Sequence, residues 1–275
     1  MTPGRRVLLL CMAAFLCVGW SETTVRYVAW SAVEFFPPDL RRHVRREHRR
    51  FDEGIRRGLT APPAWRAGPP GKVEEALESQ VLHCAEALQR PVPLADLVEE
   101  LGVLSVRVLD ANDPLAVRHD DPREPTYAEE YERYVDSVRD RLRLVYYGHD
   151  PKLVREQQVR DTVGASLIRS RELYPFLGQE FYRTGALRDW RSFDDRSVAF
   201  GVAGISLSRA LTDLANYAAF VWKTGGGRVP APRPTPPGHV GPTVTVLLDG
   251  GFPQREKPPS APGVLPERKL VLPPP

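Results

Sequence analysis

The chain has 275 residues with 38 basic and 35 acidic side chains, a formal net charge of +3 at pH 7. That near balance gives no support for a nucleic-acid partner or an acid-rich scavenger. Some 200 residues of ordinary mixed composition, roughly, are enough for one sizeable hydrophobic core.

At the N-terminus, Arg5 and Arg6 precede the apolar run VLLLCMAAFLCV, which is followed by Gly19. A basic start, a short apolar stretch and a small residue predict a secretory signal peptide over residues 1–19. As a helix the run would span about 18 Å, short of the ~30 Å hydrocarbon core that a membrane anchor must cross. Cleavage is expected after Gly19, leaving Trp20 as the first residue of an exported protein of the periplasm, cell envelope or extracellular space. A lipid anchor on Cys17 is disfavoured because bulky Leu16 stands where a small residue is needed. Cleavage would also remove Cys11, leaving Cys84 as the one thiol, so packing rather than a disulfide must hold the core.

From Val25 to Trp222 the apolar residues recur at helical spacing. Leu40, Val44, His48, Phe51, Ile55 and Leu59 form one stripe, and Val73, Leu77, Val81, Cys84 and Leu88 a second. Leu94, Leu97, Leu101, Leu104 and Val108 form a third, with Pro93 near its start. A fourth runs through Tyr127, Tyr131, Tyr134, Val138, Leu142 and Val145. Two more helices are expected, at about 152–183 and 197–222, the last with Leu207, Leu211, Leu214, Ala218 and Val221. No hairpin signal or solenoid repeat interrupts this pattern. The fold class is therefore all-α, a single multi-helix globular domain over residues 20–224 with about six helices. Residues 225–275 carry 14 of the 28 prolines, and proline removes backbone donors and blocks helix, so a largely disordered tail is expected there. A flexible spacer is the simpler reading of this tail, partner binding in polyproline form the other. Only VTVLLDGGF, residues 244–252, has the composition of a short strand.

The stretch LGVLSVRVLDANDPLAV, residues 101–117, joins an apolar helix to a small polar cluster of Asp110, Asn112 and Asp113. Val106 and Asp110 are four apart and share a helix face, and Ala116 follows just past Pro114. This stretch resembles a motif of the zinc-dependent phospholipase C and single-strand-specific nuclease superfamily. There the run reads histidine, three residues, aspartate, a proline-containing turn and a second histidine. Asp110 and Pro114 match, whereas Val106 and Ala116 stand in the histidine positions. The family's mature chain begins with a tryptophan whose amino group and carbonyl bind zinc, followed five residues later by a histidine. Trp20 matches that start, and Val25 occupies the histidine position. FDDRSVAFGVAGISLSRALTDLANYAAFVW also looks like the family's last core helix. The resemblance covers about 20–222 but is specific only around 20–40 and 101–117.

Where the family has three imidazoles, this chain has three aliphatic side chains, and valine and alanine donate nothing to a dication. The resemblance therefore implies a catalytically degenerate relative with no cofactor, acting as a binding or structural protein of the envelope. The alternative it implies is a phosphodiesterase acting on phospholipid or single-stranded nucleic acid with a reduced zinc site. Trp20, Asp110, Asp113 and His119 are the candidate ligands for that reading. His119 sits beside Asp120 and Asp121, although adjacent acids in a proline-containing loop are usually solvated. Asp110 has a structural alternative of its own, accepting backbone N–H bonds in the turn.

The remaining histidines have simpler explanations. His48, on its apolar stripe, is expected to be a satisfied core residue. His149 and Asp150 form a helix-ending turn punctuated by Gly148 and Pro151. His83 has no spaced partner, and His239 lies in the tail. Eight arginines fall between residues 41 and 57. Arg45, Arg46, Arg49 and Arg50 offer a face that could meet anionic lipid or nucleic-acid phosphates, and an envelope protein is the other partner class. The competing reading is a solvated face paired with Glu47, Asp52 and Glu53. No GxSxG, Walker, HExxH or CxxC pattern occurs, so serine-hydrolase, nucleotide-binding and zinc-ribbon readings have no support.

Overall fold

A computed structural model describes residues 19–60, 70–90, 93–118, 120–229 and 245–246, with backbone alone at 70–71 and 245–246. Residues 1–18, including Cys11 and Cys17, and most of the proline-rich tail with His239 lie outside the described residues. So does His119.

Ser21 opens the first helix, α1 (Glu22–Val33), by accepting a hydrogen bond from the Thr24 amide (3.2 Å), which satisfies one of the free donors of the first turn. The helix start is also held from outside. Asp136 accepts bonds from the Ser21 hydroxyl and from Thr24 Oγ1 (2.7 Å). The stripe from Leu40 to Leu59 is two helices, α2 (Pro38–Arg46) and α3 (His48–Thr60), broken at Glu47. The break turns His48 out of the stripe, and it is exposed, not a core histidine.

Next come α4 (Pro70–Ala87) and α5 (Leu94–Ala111), the latter beginning after Pro93 as expected. Asp113 then caps the short α6 (Pro114–Val117), its Oδ1 accepting from Leu115 N–H (2.9 Å), and α7 (Glu124–Val138) follows. Tyr127, Tyr131, Tyr134 and Val138 are buried on one face of α7. Leu142 and Val145 do not continue this helix. A 3-10 turn (Arg139–Arg141) ends it, and Val145–Tyr146 is a short strand, β1.

The expected single helix at 152–183 is three helices: α8 (Pro151–Glu156), α9 (Val159–Arg171) and α10 (Tyr174–Phe181). Gln157, at φ 57°, takes the left-handed turn that separates the first two. Asp150 belongs to the start of α8 and not to a helix end, because its Oδ1 accepts from Lys152 N–H at 2.8 Å. After a second 3-10 turn (Trp190–Ser192), Ser197 caps α11 (Val198–Thr224) through the Phe200 amide (3.1 Å). The strand expectation within 244–252 is met at Thr245–Val246, β2, which pairs antiparallel with β1, Val145 opposite Val246 and Tyr146 opposite Thr245.

The described residues are therefore predominantly helical and share one hydrophobic core. α5 lies in its middle, against α3 and α4 on one side and α1 and α11 on the other. α11 is long and apolar enough to cross a membrane, yet most of its side chains from Ala199 to Val221 are buried among the other helices, as a core helix requires.

The contact between α3 and α5 is backbone on backbone. A β-carbon on Gly54 would collide with the Glu99 carbonyl oxygen, and one on Gly102 with the Phe51 carbonyl oxygen. One turn along, a β-carbon on Gly58 would meet Val106 Cγ2 at 2.7 Å. Arg50 and Arg57 bridge the same pair of helices from outside by ion pairs to Glu99 (3.1 and 2.6 Å). These pairs are half-exposed and add little next to the packing they cover. Gly54→Ala and Gly102→Ala should each lower unfolding free energy by about 3 kcal/mol, because the helices must separate to admit a methyl group. Urea denaturation of the two variants, beside Gly201→Ala, where a β-carbon meets nothing within 4 Å, measures this directly.

Candidate functional site

The end of α5 carries the polar cluster that the sequence singles out, and the fold gives each member a different place. Asp110 is buried in the last turn. Asn112 is the C-cap, its backbone N–H bonded to Val108 and Leu109 carbonyls (3.2 and 3.1 Å). Asp113 starts the next helix, so the carboxylate that accepts the turn's Leu115 amide is Asp113. Ala116 and Val117 of α6 are buried behind it.

Trp20 comes to the same place from the N-terminus. Its indole N–H donates to the Leu109 carbonyl (3.2 Å), an acceptor near the end of α5, and its ring packs on Tyr131 with centroids 5.8 Å apart. Trp20 and Asp113 thus line one cavity with Tyr131 and Glu132. Its volume is about 10 Å³, close to the minimum for one water. Burial raises the Tyr131 hydroxyl well above its ordinary pKa, and that hydroxyl has no hydrogen-bond partner among the described residues.

Val25 and Val106 do not open onto this space as donors would. Both are fully buried members of the hydrophobic core, and Val106 lies against Gly58 of α3. The donor set here does not fit a zinc cluster. The Val25, Val106 and Ala116 positions present methyl groups, and Asp113 is already committed to a helix cap. Among the described residues no group of three or more histidine, cysteine, aspartate and glutamate side chains is placed to hold a metal ion.

The acids flanking residue 119 are held by arginines. Asp120 pairs with Arg118 (2.7 Å) and Asp121 with Arg123 (2.8 Å). Hydrogen bonds from those guanidinium groups hold both carboxyls below the ordinary range. Asp121 is further fixed by Tyr174, whose hydroxyl accepts from the Asp121 amide (3.0 Å) and donates to Glu124 (2.5 Å).

The arginine face is largely paired as well. Arg45 binds Glu34 (2.5 Å), Arg46 binds Glu47 (3.3 Å) and Arg50 binds Glu53 and Glu99 (3.5 and 3.1 Å). Arg49 is exposed, with no ion pair among the described residues. Trp30 Nε1 donates to Asp52 (3.0 Å), which also pairs with Arg26 (3.0 Å).

One cluster is absent from the sequence reading. Asp213, buried in α11, accepts at Oδ2 from Asn112 Nδ2 (3.1 Å), Ser166 Oγ (2.7 Å) and an Arg169 guanidinium nitrogen (3.3 Å). It ties the end of α5 and α9 to α11 by directional bonds, and Arg209 of α11 adds one to the Arg169 carbonyl (2.9 Å). Burial pushes its carboxyl above the ordinary value, while Arg169, Ser166 and Asn112 pull it back. A lone acid in the apolar run SLSRALTDLANYAAFVW was the available signal, since an isolated charge is not buried without partners. Cys84 is buried too, and burial first, then the neighbouring Glu100, pushes its thiol up to about 12.

No protein-family model matches this chain, and no curated protein is significantly similar to it.

Because the folded pKa of Asp213 lies above its unfolded value, the native state holds a proton that the unfolded chain has lost in the interval between the two. Stability must then fall as pH rises through that interval. Urea melts from pH 3 to 7 should show the wild type losing stability relative to Asp213→Asn as pH rises, with the direction set by that one carboxyl. Cys84 should resist iodoacetamide at neutral pH in the native protein and react in urea, since a thiol so raised carries almost no thiolate. Mass spectrometry of the alkylated protein reads both states.

Proposed function

We propose that this chain is an exported, catalytically degenerate relative of the zinc-dependent phospholipases C and single-strand-specific nucleases, serving as a binding or structural protein of the cell envelope. The observation that supports this reading is that the positions where the resemblance expects histidine ligands are buried and carry no donor. Val25, Val106 and Ala116 are packed in the interior, and the space beside Trp20 and Asp113 has room for about one water. A phosphodiester and its metal-activated water need a cleft with several donors turned into it. Methyl groups at those positions recover contact and burial free energy that unfilled space would forfeit.

The resemblance rests on short stretches, Trp20 with its following helix and Leu101–Val117, and on the helical fold. Fold likeness alone does not assign an activity, so the reading depends on the chemistry of those positions. Export rests on the N-terminal sequence pattern of residues 1–19.

Elemental analysis of the purified protein tests the reading. Less than one zinc per chain is expected, together with no hydrolysis of a chromogenic phosphodiester. Two or three zinc ions per chain, or hydrolysis lost on chelation and in Asp110→Ala, would establish the phosphodiesterase alternative and overturn it.

A further inference from the structure

The chain enters the domain along α7. Asp136 holds the Ser21 hydroxyl and Thr24 Oγ1 (2.7 Å). Glu132 lies four residues earlier, one turn back on the same face. At that level stand Gly19 and Trp20, and both border the small cavity together with Asp113, Tyr131 and Glu132.

The walls of this cavity suit a small cation. Two carboxylates reach it from different helices, Asp113 from the start of α6 and Glu132 from α7. Asp113 is buried and Glu132 half-buried, and charges so placed attract an opposite charge more strongly than exposed ones do. The Leu115 amide occupies one oxygen of Asp113, but a carboxylate has about four acceptor sites. The Tyr131 hydroxyl on the same wall is buried beside Asp113 and has no hydrogen-bond partner among the described residues. A buried hydroxyl in that state costs stability until a partner reaches it.

Trp20 is anchored by its side chain, the ring on Tyr131 and the indole N–H on the Leu109 carbonyl. Its main-chain nitrogen therefore stays at the cavity whether or not a residue precedes it. The pattern of residues 1–19 puts cleavage at the Gly19–Trp20 bond. Hydrolysis there by a processing peptidase adds water across the C–N bond, so a carboxylate leaves on Gly19 and an ammonium remains on Trp20. Loss of Gly19 also removes one wall of a space of only about 10 Å³, which makes room for the new group. An ammonium has three donors, and Asp113, Glu132 and Tyr131 supply three acceptors.

We propose that the α-ammonium group of Trp20, created by this cleavage, is the cation of the site. It pairs with Asp113 and Glu132, donates to the Tyr131 hydroxyl, and locks the start of α1 to α6 and α7. The proposal rests on the export reading of residues 1–19 and requires no metal.

A chain that begins at Trp20, released from a carrier fusion, tests the docking apart from export. Its α-amine should react with acetic anhydride about tenfold more slowly in the native protein than in guanidinium chloride, because local opening must precede reaction. Mass spectrometry of the N-terminal peptide reads this. A chain that begins at Gly19 moves the amine away and should show no such protection and a lower Tm. Glu132→Gln should lower the Tm of the chain beginning at Trp20 and leave that of the chain beginning at Gly19 unchanged. A glutamate with only a structural role would show no such coupling. Equal effects of Glu132→Gln in both chains, or an amine equally reactive native and unfolded, would overturn the docking. So would protection lost on chelation, since that assigns the amine to a bound metal. N-terminal sequencing of the protein recovered from an exporting host tests the processing separately. Trp20 is expected as the first residue, and any other overturns the processing step while leaving the coupling measured on the prepared chains to stand or fall by itself.

Discussion

The close contact of Gly54 with Gly102 constrains the rest of this molecule. Two helix backbones that touch leave no freedom in their separation and little in their rotation. A side chain on either glycine would have to displace a carbonyl of the facing helix. The rotational setting of α5 follows from that contact, and with it the neighbours that its other faces meet. Val106, one turn beyond Gly102, is directed onto Gly58. Leu109 turns its carbonyl to the Trp20 indole, and Asn112 reaches Asp213 on α11. The same helix is thus a packing element at its middle and a polar junction at its end.

That junction explains why the residues after Leu109 are polar in an otherwise apolar neighbourhood. A helix end leaves backbone groups without partners, and burying them uncompensated would cost more than the packing gains. Asp113 takes up the Leu115 amide, and Asn112 bonds to the Val108 carbonyl as well as to Asp213. The buried carboxylate of Asp213 is expensive in itself, and three donors from two other helices offset it. Directional bonds of this kind fix one arrangement of α5, α9 and α11 where methyl groups alone would accept several.

How much of this is legible in the sequence depends on the range of the interaction. The stripes through Val73–Leu88 and Leu94–Val108 mark real helices because their signal is local: one face meets the core along its whole length. The stripe through His48 fails at Glu47, and the stripe through Val145 fails after Val138. In both cases apolar spacing runs on across a break in the backbone. At Val145 and Tyr147 the extended chain finds its hydrogen-bond partners on Ser208 and Thr212, more than 60 residues away, and no local pattern announces them. The burial of Trp20, Val25, Val106 and Ala116 is readable from their apolar character. The partnership of Asn112 with Asp213 is not, although the isolated acid in α11 hints at one.

The sequence by itself determined that the chain is helical, that a helix starts near Pro93, and that the positions at 25, 106 and 116 carry no metal donors. Those properties belong to single residues and to periods of three and four, so they survive without knowledge of the fold. Tertiary structure decided the rest: that Trp20 and Asp113 face one water-sized cavity, that His48 points to solvent, and that Asp120 and Asp121 are held by arginines. These outcomes depend on which helix faces meet. That is set by the close approach of α3 and α5 and by hydrogen bonds between segments about a hundred residues apart in the chain.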